Sequence, residues 1–384
     1  MLTVIDGGEV FAPEPLGQQQ VLLVRDVIAA VGNVDRRAVE ALGLPVEVID
    51  ATGCVVLPGL IDPHEHLIGG SGERGFASQT PEVMLDELVE GGITTVVGCL
   101  GVDTTTRTME ALVAKAKGLS AEGLTAFVYA GGYNVPPTTI TGSVRRDLLF
   151  VNEVIGAGEI AISDARSTEP SVEELARLVR DAYVGGLLSG KAGVTHFHVG
   201  DLATRLAPIR ALLDQYSIEP ALLYPTHVER NEALMREAVE LTHRGVTIDV
   251  DVVEADLARW VRFFLDHGGD PARLTVSSDA AINSPGSLLA QIRSCVLEHA
   301  FSLEHMLPLV TANTARVLKL TGKGRLAPGC DADVLVLRRE TLELTGVIAR
   351  GRTMMSNGRL QRRASFLAET NRRVEWHGQE ATEA

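Results

Sequence analysis

Between residues 58 and 320 the chain alternates, about eight times over, between a short apolar run and a longer amphipathic stretch. Strands are predicted over 94–99, 126–130, 160–163, 195–199, 221–224, 247–253 and 274–277, and helices over 106–117, 172–188 and 204–216. Strand–helix units of this size lay each strand parallel to the one before it. Room for about eight of them in one stretch favours a closed (β/α)8 barrel of the TIM type. Composition agrees. Of 384 residues 45% are apolar and only 4% aromatic, so the core is built from Val, Leu, Ile and Ala. Such residues suit parallel strands buried on both faces.

The two ends read differently. Val21-Leu22-Leu23-Val24 and Val27-Ile28-Ala29-Ala30-Val31 near the start, and Ala332-Asp333-Val334-Leu335-Val336-Leu337 and Val347-Ile348-Ala349-Arg350-Gly351 near the finish, are short β-rich runs. One small β-sandwich domain made from both termini is expected, residues 1–57 plus 324–370, flanking the barrel at 58–323. The tail 371–384, rich in Glu, Arg and Ala, is expected to fray.

Net charge is −15, which argues against a nucleic-acid partner, since such proteins carry a basic face. No apolar run approaches the ~20 residues of a membrane span. Met1-Leu2-Thr3-Val4-Ile5-Asp6 lacks the basic start of a signal peptide. The four cysteines (Cys54, Cys99, Cys295, Cys330) form no CxxC pair. A reduced, cytoplasmic setting is expected, without zinc–thiolate chemistry.

The chemistry concentrates at Pro58-Gly59-Leu60-Ile61-Asp62-Pro63-His64-Glu65-His66. Histidines two apart on a strand point to one face, and two imidazoles on one ion commonly hold a catalytic divalent metal. Taken alone, the pair reads equally well as two ordinary histidines in a turn. His198, His227 and Asp279 change the balance. Each follows an apolar run, at the strand ends where barrel enzymes place catalytic groups.

This set of an HxH pair, a carboxylate, two single histidines and an aspartate resembles the amidohydrolase superfamily. So do the Pro-Gly-Leu-Ile-Asp entry to the motif and the closing Gly329-Cys330-Asp331-Ala332-Asp333. Longer stretches resemble the isoaspartyl (β-aspartyl) dipeptidases within it. They are His64-Glu65-His66-Leu67-Ile68-Gly69-Gly70, Gly98-Cys99-Leu100-Gly101, Thr139-Ile140-Thr141-Gly142-Ser143, Ile162-Ser163-Asp164-Ala165-Arg166-Ser167, Pro225-Thr226-His227-Val228-Glu229-Arg230-Asn231 and Ser277-Ser278-Asp279.

The resemblance implies two divalent metal ions, with zinc expected, held by His64, His66, His198, His227 and Asp279. In that family a carboxylated lysine bridges the ions. Here Val154-Ile155-Gly156-Ala157-Gly158-Glu159-Ile160-Ala161-Ile162 holds no lysine, and Glu159 falls at the position, with one extra residue in the stretch. A glutamate offers the same two oxygens and single negative charge, but is about three atoms shorter than a lysine carbamate. The backbone must therefore come closer to the metals, and Gly156 and Gly158 allow that. The alternatives are a solvent-facing Glu159 with a mononuclear or dead site, or a bridge from Glu153, whose surroundings read as a helix.

The same resemblance implies a substrate. Arg166 and Arg230 fall where the family binds substrate carboxylates, and an arginine fork pairs bidentately with a carboxylate. Glu73 matches the residue that takes the α-amino group, and Tyr133 the one that polarises the scissile carbonyl. Ser284 is a possible counterpart of a substrate-binding serine, in a loop Ala280-Ala281-Ile282-Asn283-Ser284-Pro285 that is longer and less glycine-rich than the family's. Asp279 would move the proton from attacking water to the leaving amine. The implied reaction is hydrolysis of a small acidic dipeptide by a metal-activated hydroxide, in a homo-oligomer. Other amidohydrolase activities (cyclic amidase, N-acyl amino acid deacylase, deaminase) and an inactive scaffold of the same fold remain as rivals.

Overall fold

The computed structural model describes residues 2–70 and 72–371. The tail expected to fray lies outside the described residues from 372 onward. Eight strands run through the middle of the chain: β1 (Leu60–Glu65), β2 (Ile93–Gly98), β3 (Thr125–Ala130), β4 (Val154–Ile162), β5 (Val194–Val199), β6 (Leu223–Thr226), β7 (Ile248–Asp251) and β8 (Leu274–Ser277). Strands β1 to β6 form one parallel sheet in sequence order, and β7 pairs with β8, also parallel. The curl closes where Asp279 N donates to His64 O at 3.1 Å and His66 N donates to Ala280 O at 3.0 Å. Between β6 and β7 the link is a side chain, Thr226 Oγ1 donating to Asp249 Oδ2 at 2.8 Å.

Every residue of β1, β2 and β4 is buried, including the polar Asp62, His64, Glu65 and Glu159. The intervening helices start on recognisable caps. Ser171 and Glu174 form a capping box for helix Val172–Ser189, which stops at Gly190 in the left-handed conformation. Asn231 caps Glu232–His243. Two expected helices begin a little later than the apolar pattern suggested. Thr108 takes the Ala111 N–H and so starts Met109–Glu122. Pro208 sits in the first turn of Ala207–Tyr216, leaving 204–206 as a turn.

The segment around Glu153, expected to be helical, is a turn running into β4. Valine, isoleucine and two glycines are poor helix formers, and the buried sheet takes them. Glu153 itself pairs with Lys117 at 2.7 Å, at the opposite end of β4 from the exit of the strand.

Both termini contribute to the remaining sheets. A four-stranded sheet orders Val27–Gly32, Gln20–Val24, Leu2–Asp6 and Val46–Asp50. A seven-stranded sheet orders Arg359–Leu360, Arg352–Ser356, Leu344–Ala349, Val334–Arg338, Cys54–Pro58, Glu9–Phe11 and Pro15–Gln18. Ile5, Val21 and Leu23 from the first pack with Val10, Val56, Val334 and Ile348 from the second in one apolar cluster. No helix among the described residues is long and apolar enough to cross a membrane.

Candidate metal centre and active site

Six of the predicted side chains meet at the carboxyl ends of the barrel strands. His64 lies in β1 and His66 directly follows it. Glu159 is in β4 and His198 in β5. His227 follows β6, and Asp279 stands two residues past β8. His227 (φ 62°) and Asp279 (φ 47°) adopt left-handed backbone, a conformation that costs roughly 1 kcal/mol or more for such residues and recurs at functional sites.

Glu159 is the centre of the group, 0% exposed. Its Oε1 lies 3.6 Å from the Nε2 atoms of both His64 and His66, and its Oε2 lies 3.1 Å from His198 Nδ1 and 3.6 Å from His227 Nε2. Asp279 Oδ1 is 3.2 Å from His64 Nε2 and from His66 Nε2. One carboxylate thus addresses two separate sets of ligands. His64 Nε2 and Glu159 Oε1 are buried and have no hydrogen-bond partner, and such orphans in a native interior call for an ion or a water. Two ligands ~2.1 Å from a shared tetrahedral ion stand ~3.4 Å apart, so the spacings suit divalent metals. His64, His66, Asp279 and one oxygen of Glu159 would hold a first ion. His198, His227 and the other oxygen would hold a second.

The extra residue in β4 explains how a short glutamate reaches this position. Ala157 pairs with Thr195, but the next pair is Ile160 with Phe197, so β4 spends three steps where β5 spends two. This bulge contains Gly158 and Glu159. Gly158 has φ +146°, and a Cβ there would stand 2.8 Å from both the Cβ and the carbonyl oxygen of His196. Only glycine lets the bulge lie so close to β5.

Burial by itself would raise the Glu159 carboxyl, but His64 and the hydrogen bonds from His198 and His227 hold it well below the ordinary glutamate range. Asp279 behaves in the same way, with His64 and His66 outweighing burial. Both are anions inside the barrel, which favours cations between them.

A second layer of side chains, none of them expected from the sequence as part of the site, stands behind the candidate ligands. His196 Nε2 is 2.8 Å from His64 Nδ1. Asp251 Oδ2 is 2.7 Å from His227 Nδ1, and Asp164 Oδ2 is 3.0 Å from His198 Nε2. The Cys99 thiol is 3.8 Å from His66 Nδ1. Asp62 accepts from the backbone N–H groups of His64 and Ser278 at 3.2 Å, and burial raises its carboxyl to about 6. Alternation along β5 was a usable signal for His196, because it shares the inward face of His198 two residues on.

The expected substrate residues divide. Glu73, Tyr133, Arg166 and Arg230 converge around His198. Tyr133 Oη is 2.8 Å from His198 Nδ1, and Arg166 Nη2 and Arg230 Nη2 are 3.0 and 3.4 Å from its Nε2. Arg166 also forks onto both oxygens of Asp164, at 2.9 and 2.7 Å, and reaches Glu73 Oε1 at 2.6 Å. The Arg166 pairing holds the Asp164 carboxyl far below its ordinary range. Ser284, by contrast, keeps its described contacts within its own turn, its Oγ accepting from Gly286 N at 3.2 Å.

Known proteins match this chain in the same terms. The β-aspartyl dipeptidase of Fervidobacterium islandicum AW-1 is 40% identical, with a TM-score of 0.90 over 94% of this chain and 99% of that one. The same enzyme in complex with the β-Asp-Leu dipeptide gives 38% identity and a TM-score of 0.90 over 94% and 98%. Imidazolonepropionase of a Ruegeria species is 26% identical over 75% of this chain and 79% of its own length. That of Bacillus cereus is 44% identical, but the match covers only 24% of this chain and 21% of the relative. The sequence model described as "Amidohydrolase family" matches residues 55–354, from the strand before the HxH motif to the last sheet, and the chain therefore belongs to the amidohydrolase family of metal-dependent hydrolases.

Proposed function

We propose that this hydrolase cleaves β-aspartyl (isoaspartyl) dipeptides at a centre of two divalent ions, zinc being the expected metal. The observation that carries the reading is the convergence of Arg166, Arg230, Glu73 and Tyr133 around one metal-ligating histidine. Two arginines and one carboxylate complement a substrate with two carboxylates and an ammonium group. When bound, the ions supply Lewis acidity and lower the pKa of water towards neutrality.

The chain's own residues do the rest. Glu159 presents one negative charge and two oxygens to the paired sites, the service a carboxylated lysine gives in the resembled family. Asp279, an anion beside His64 and His66, takes the proton from the attacking water and passes it to the leaving amine. Tyr133 donates to the scissile carbonyl as negative charge builds on it. Glu73 receives the substrate ammonium while Arg166 and Arg230 receive its carboxylates, which fixes the β-carbonyl against the nucleophile. Ser284 is left as a peripheral contact of this pocket. We take the two terminal sheets as a small β-sandwich domain, 1–57 plus 324–370, packed beside the barrel.

The test is turnover of β-Asp-Leu and β-Asp-His against α-Asp-Leu, before and after chelation. β-Aspartyl peptides should be cut far faster, chelation should abolish the activity, and zinc, cobalt or manganese should restore it. The imidazolonepropionase matches favour a second reading, hydrolysis of a cyclic amide. Rapid opening of an uncharged cyclic amide with no turnover of β-aspartyl peptides would establish it instead.

A further inference from the structure

The metal-ligating histidines differ in what stands behind them. His198 and His227 are backed by carboxylates, His66 by a thiol, and His64 by another imidazole, that of His196. His196 lies in β5 two residues before His198, fully buried, with its ring between Tyr129 (4.9 Å, stacked at 24°) and Tyr224 (4.8 Å). Its Nδ1 is 2.9 Å from the backbone oxygen of Tyr224. A carbonyl oxygen only accepts, so His196 Nδ1 carries a hydrogen. In the neutral ring the other nitrogen, Nε2, then offers a lone pair. That lone pair faces His64 Nδ1 at 2.8 Å, so His64 must carry its hydrogen on Nδ1. The consequence falls on the far side of the His64 ring. Its Nε2 is left with a free lone pair aimed at Glu159 Oε1 and Asp279 Oδ1, the form a metal requires.

The same residue touches the second peculiarity of the site. The bulge in β4 rests on His196, with Gly158 so near that even a methyl group would collide with its Cβ and carbonyl.

We infer that His196 is a positioning residue of the metal centre, which holds His64 in its metal-binding tautomer and seats the bulge that delivers Glu159. The inference rests on the metal centre proposed above, but not on the identity of the substrate. A role in packing alone would be met by any side chain of similar size. The positioning role needs an acceptor where His196 Nε2 stands.

The experiment compares the full-length protein with its His196→Leu and His196→Gln variants, loaded with zinc or cobalt. Leucine fills the volume without an acceptor, and a glutamine amide oxygen reaches the Nε2 position. His196→Leu should weaken metal binding by about 10- to 100-fold. It should also alter the visible absorption of the cobalt form, and lower kcat with little change in KM for β-Asp-Leu. His196→Gln should recover metal affinity to within about 10-fold of the parent. Parental zinc affinity and cobalt spectrum in His196→Leu would overturn the inference, as would a glutamine variant no better than the leucine one. If His196→Leu does not fold, the parent protein still decides the matter. Nitrogen-15 spectra of the zinc form should show both His64 and His196 protonated at Nδ1, and protonation of His196 at Nε2 would refute the tautomer argument. Tight zinc binding without any turnover of β-Asp-Leu would sink the proposed substrate and leave this inference standing.

Discussion

The metal cluster and the rim that surrounds it are built on different principles. His64 and Glu159 are 0% exposed and sit within strands whose backbones are fixed by the sheet. The side chains of Glu73, Arg166 and Arg230 are 47%, 31% and 27% exposed, and they stand on loops. In the cluster, position comes from the ladder and from the second layer of His196, Asp251 and Asp164. On the rim, position comes from the charges themselves, with Arg166 tied to Asp164 and Glu73. The cluster is thus preorganised for cations, whereas under the proposed function the Arg166–Glu73 pair would open to receive a substrate's carboxylate and ammonium. Damage to the cluster should remove metal and kcat. Damage to the rim should leave the metal and cost kcat/KM.

The largest effect should come from Glu159→Gln, which keeps the shape and removes the charge that the proposed function sets between two cations. We expect loss of the second ion and a fall in kcat of more than about 10³-fold. Metal analysis alongside kinetics checks both parts, and two retained metals with near-normal kcat would show that Glu159 is no ligand. Glu159→Lys belongs to the same series. Its longer side chain fits badly against the bulge, so bicarbonate should rescue it only in part.

On the rim, Arg230→Ala should keep both ions and lower kcat/KM by about 10²–10³-fold, or ~2–4 kcal/mol, through loss of a charged contact. If the variant also loses metal, the division between cluster and rim fails.

A smaller effect tests how the rim loops are held. Glu237 accepts from Arg205 at 2.6 Å and Arg210 at 2.7 Å, and Arg205 O accepts from Ser163 in the loop that leads to Arg166. Burial raises the Glu237 carboxyl, but the two arginines outweigh it and hold the group below its ordinary value. A depressed carboxyl stabilises the fold above the unfolded value, about 4.3, and ceases to do so as pH falls through the folded one. Glu237→Gln should therefore cost roughly 0.5–1 kcal/mol at pH 7, and progressively less below pH ~4. Thermal melts at the two pH values measure this, and an equal cost at both would contradict it.

The smallest expected effect is none at all. A lysine must be carboxylated before it bridges, whereas a glutamate is already anionic at neutral pH. Apo-protein reconstituted with zinc in CO2-depleted buffer should regain full activity. A requirement for bicarbonate would point to a carboxylated group elsewhere in the cluster.

The cluster was more legible in the sequence than the rim, and for a physical reason. His64 and His66 share one face of a strand, while His198, His227 and Asp279 each follow an apolar run, and a strand of known period places such residues without knowledge of anything distant. Glu159 was placed by resemblance, and the extra residue and two glycines beside it, read as room for a closer backbone, turn out to form a bulge. Of the supporting layer only His196 was legible, through alternation along β5. Asp251 and Asp164 look like any polar residue after a strand, and what distinguishes them is the imidazole brought beside them by another element. The rim was read through resemblance, and that carried Glu73, Tyr133, Arg166 and Arg230 to one place. Ser284 lies in a loop whose length differs from the family pattern, and with the length changed its contacts turn inward on the loop. Helix starts shifted by about three residues where Thr108 and Pro208 decided the cap against the apolar pattern.

The closing seam of the barrel joins residues 216 apart in sequence, Ser278 donating to Asp62, with Asp279 and His66 bonded across the same seam. The strand just ahead of β1, Cys54–Pro58, pairs with Val334–Arg338. The HxH motif therefore meets Asp279 only when the barrel closes, and the strand that leads into β1 is braced by one from far along the sequence. The full set of candidate ligands is accordingly a product of long-range closure, not of any local segment. A fragment that ends before β8 would carry the HxH motif without Asp279, and so without a carboxylate that the closed barrel sets beside both histidines.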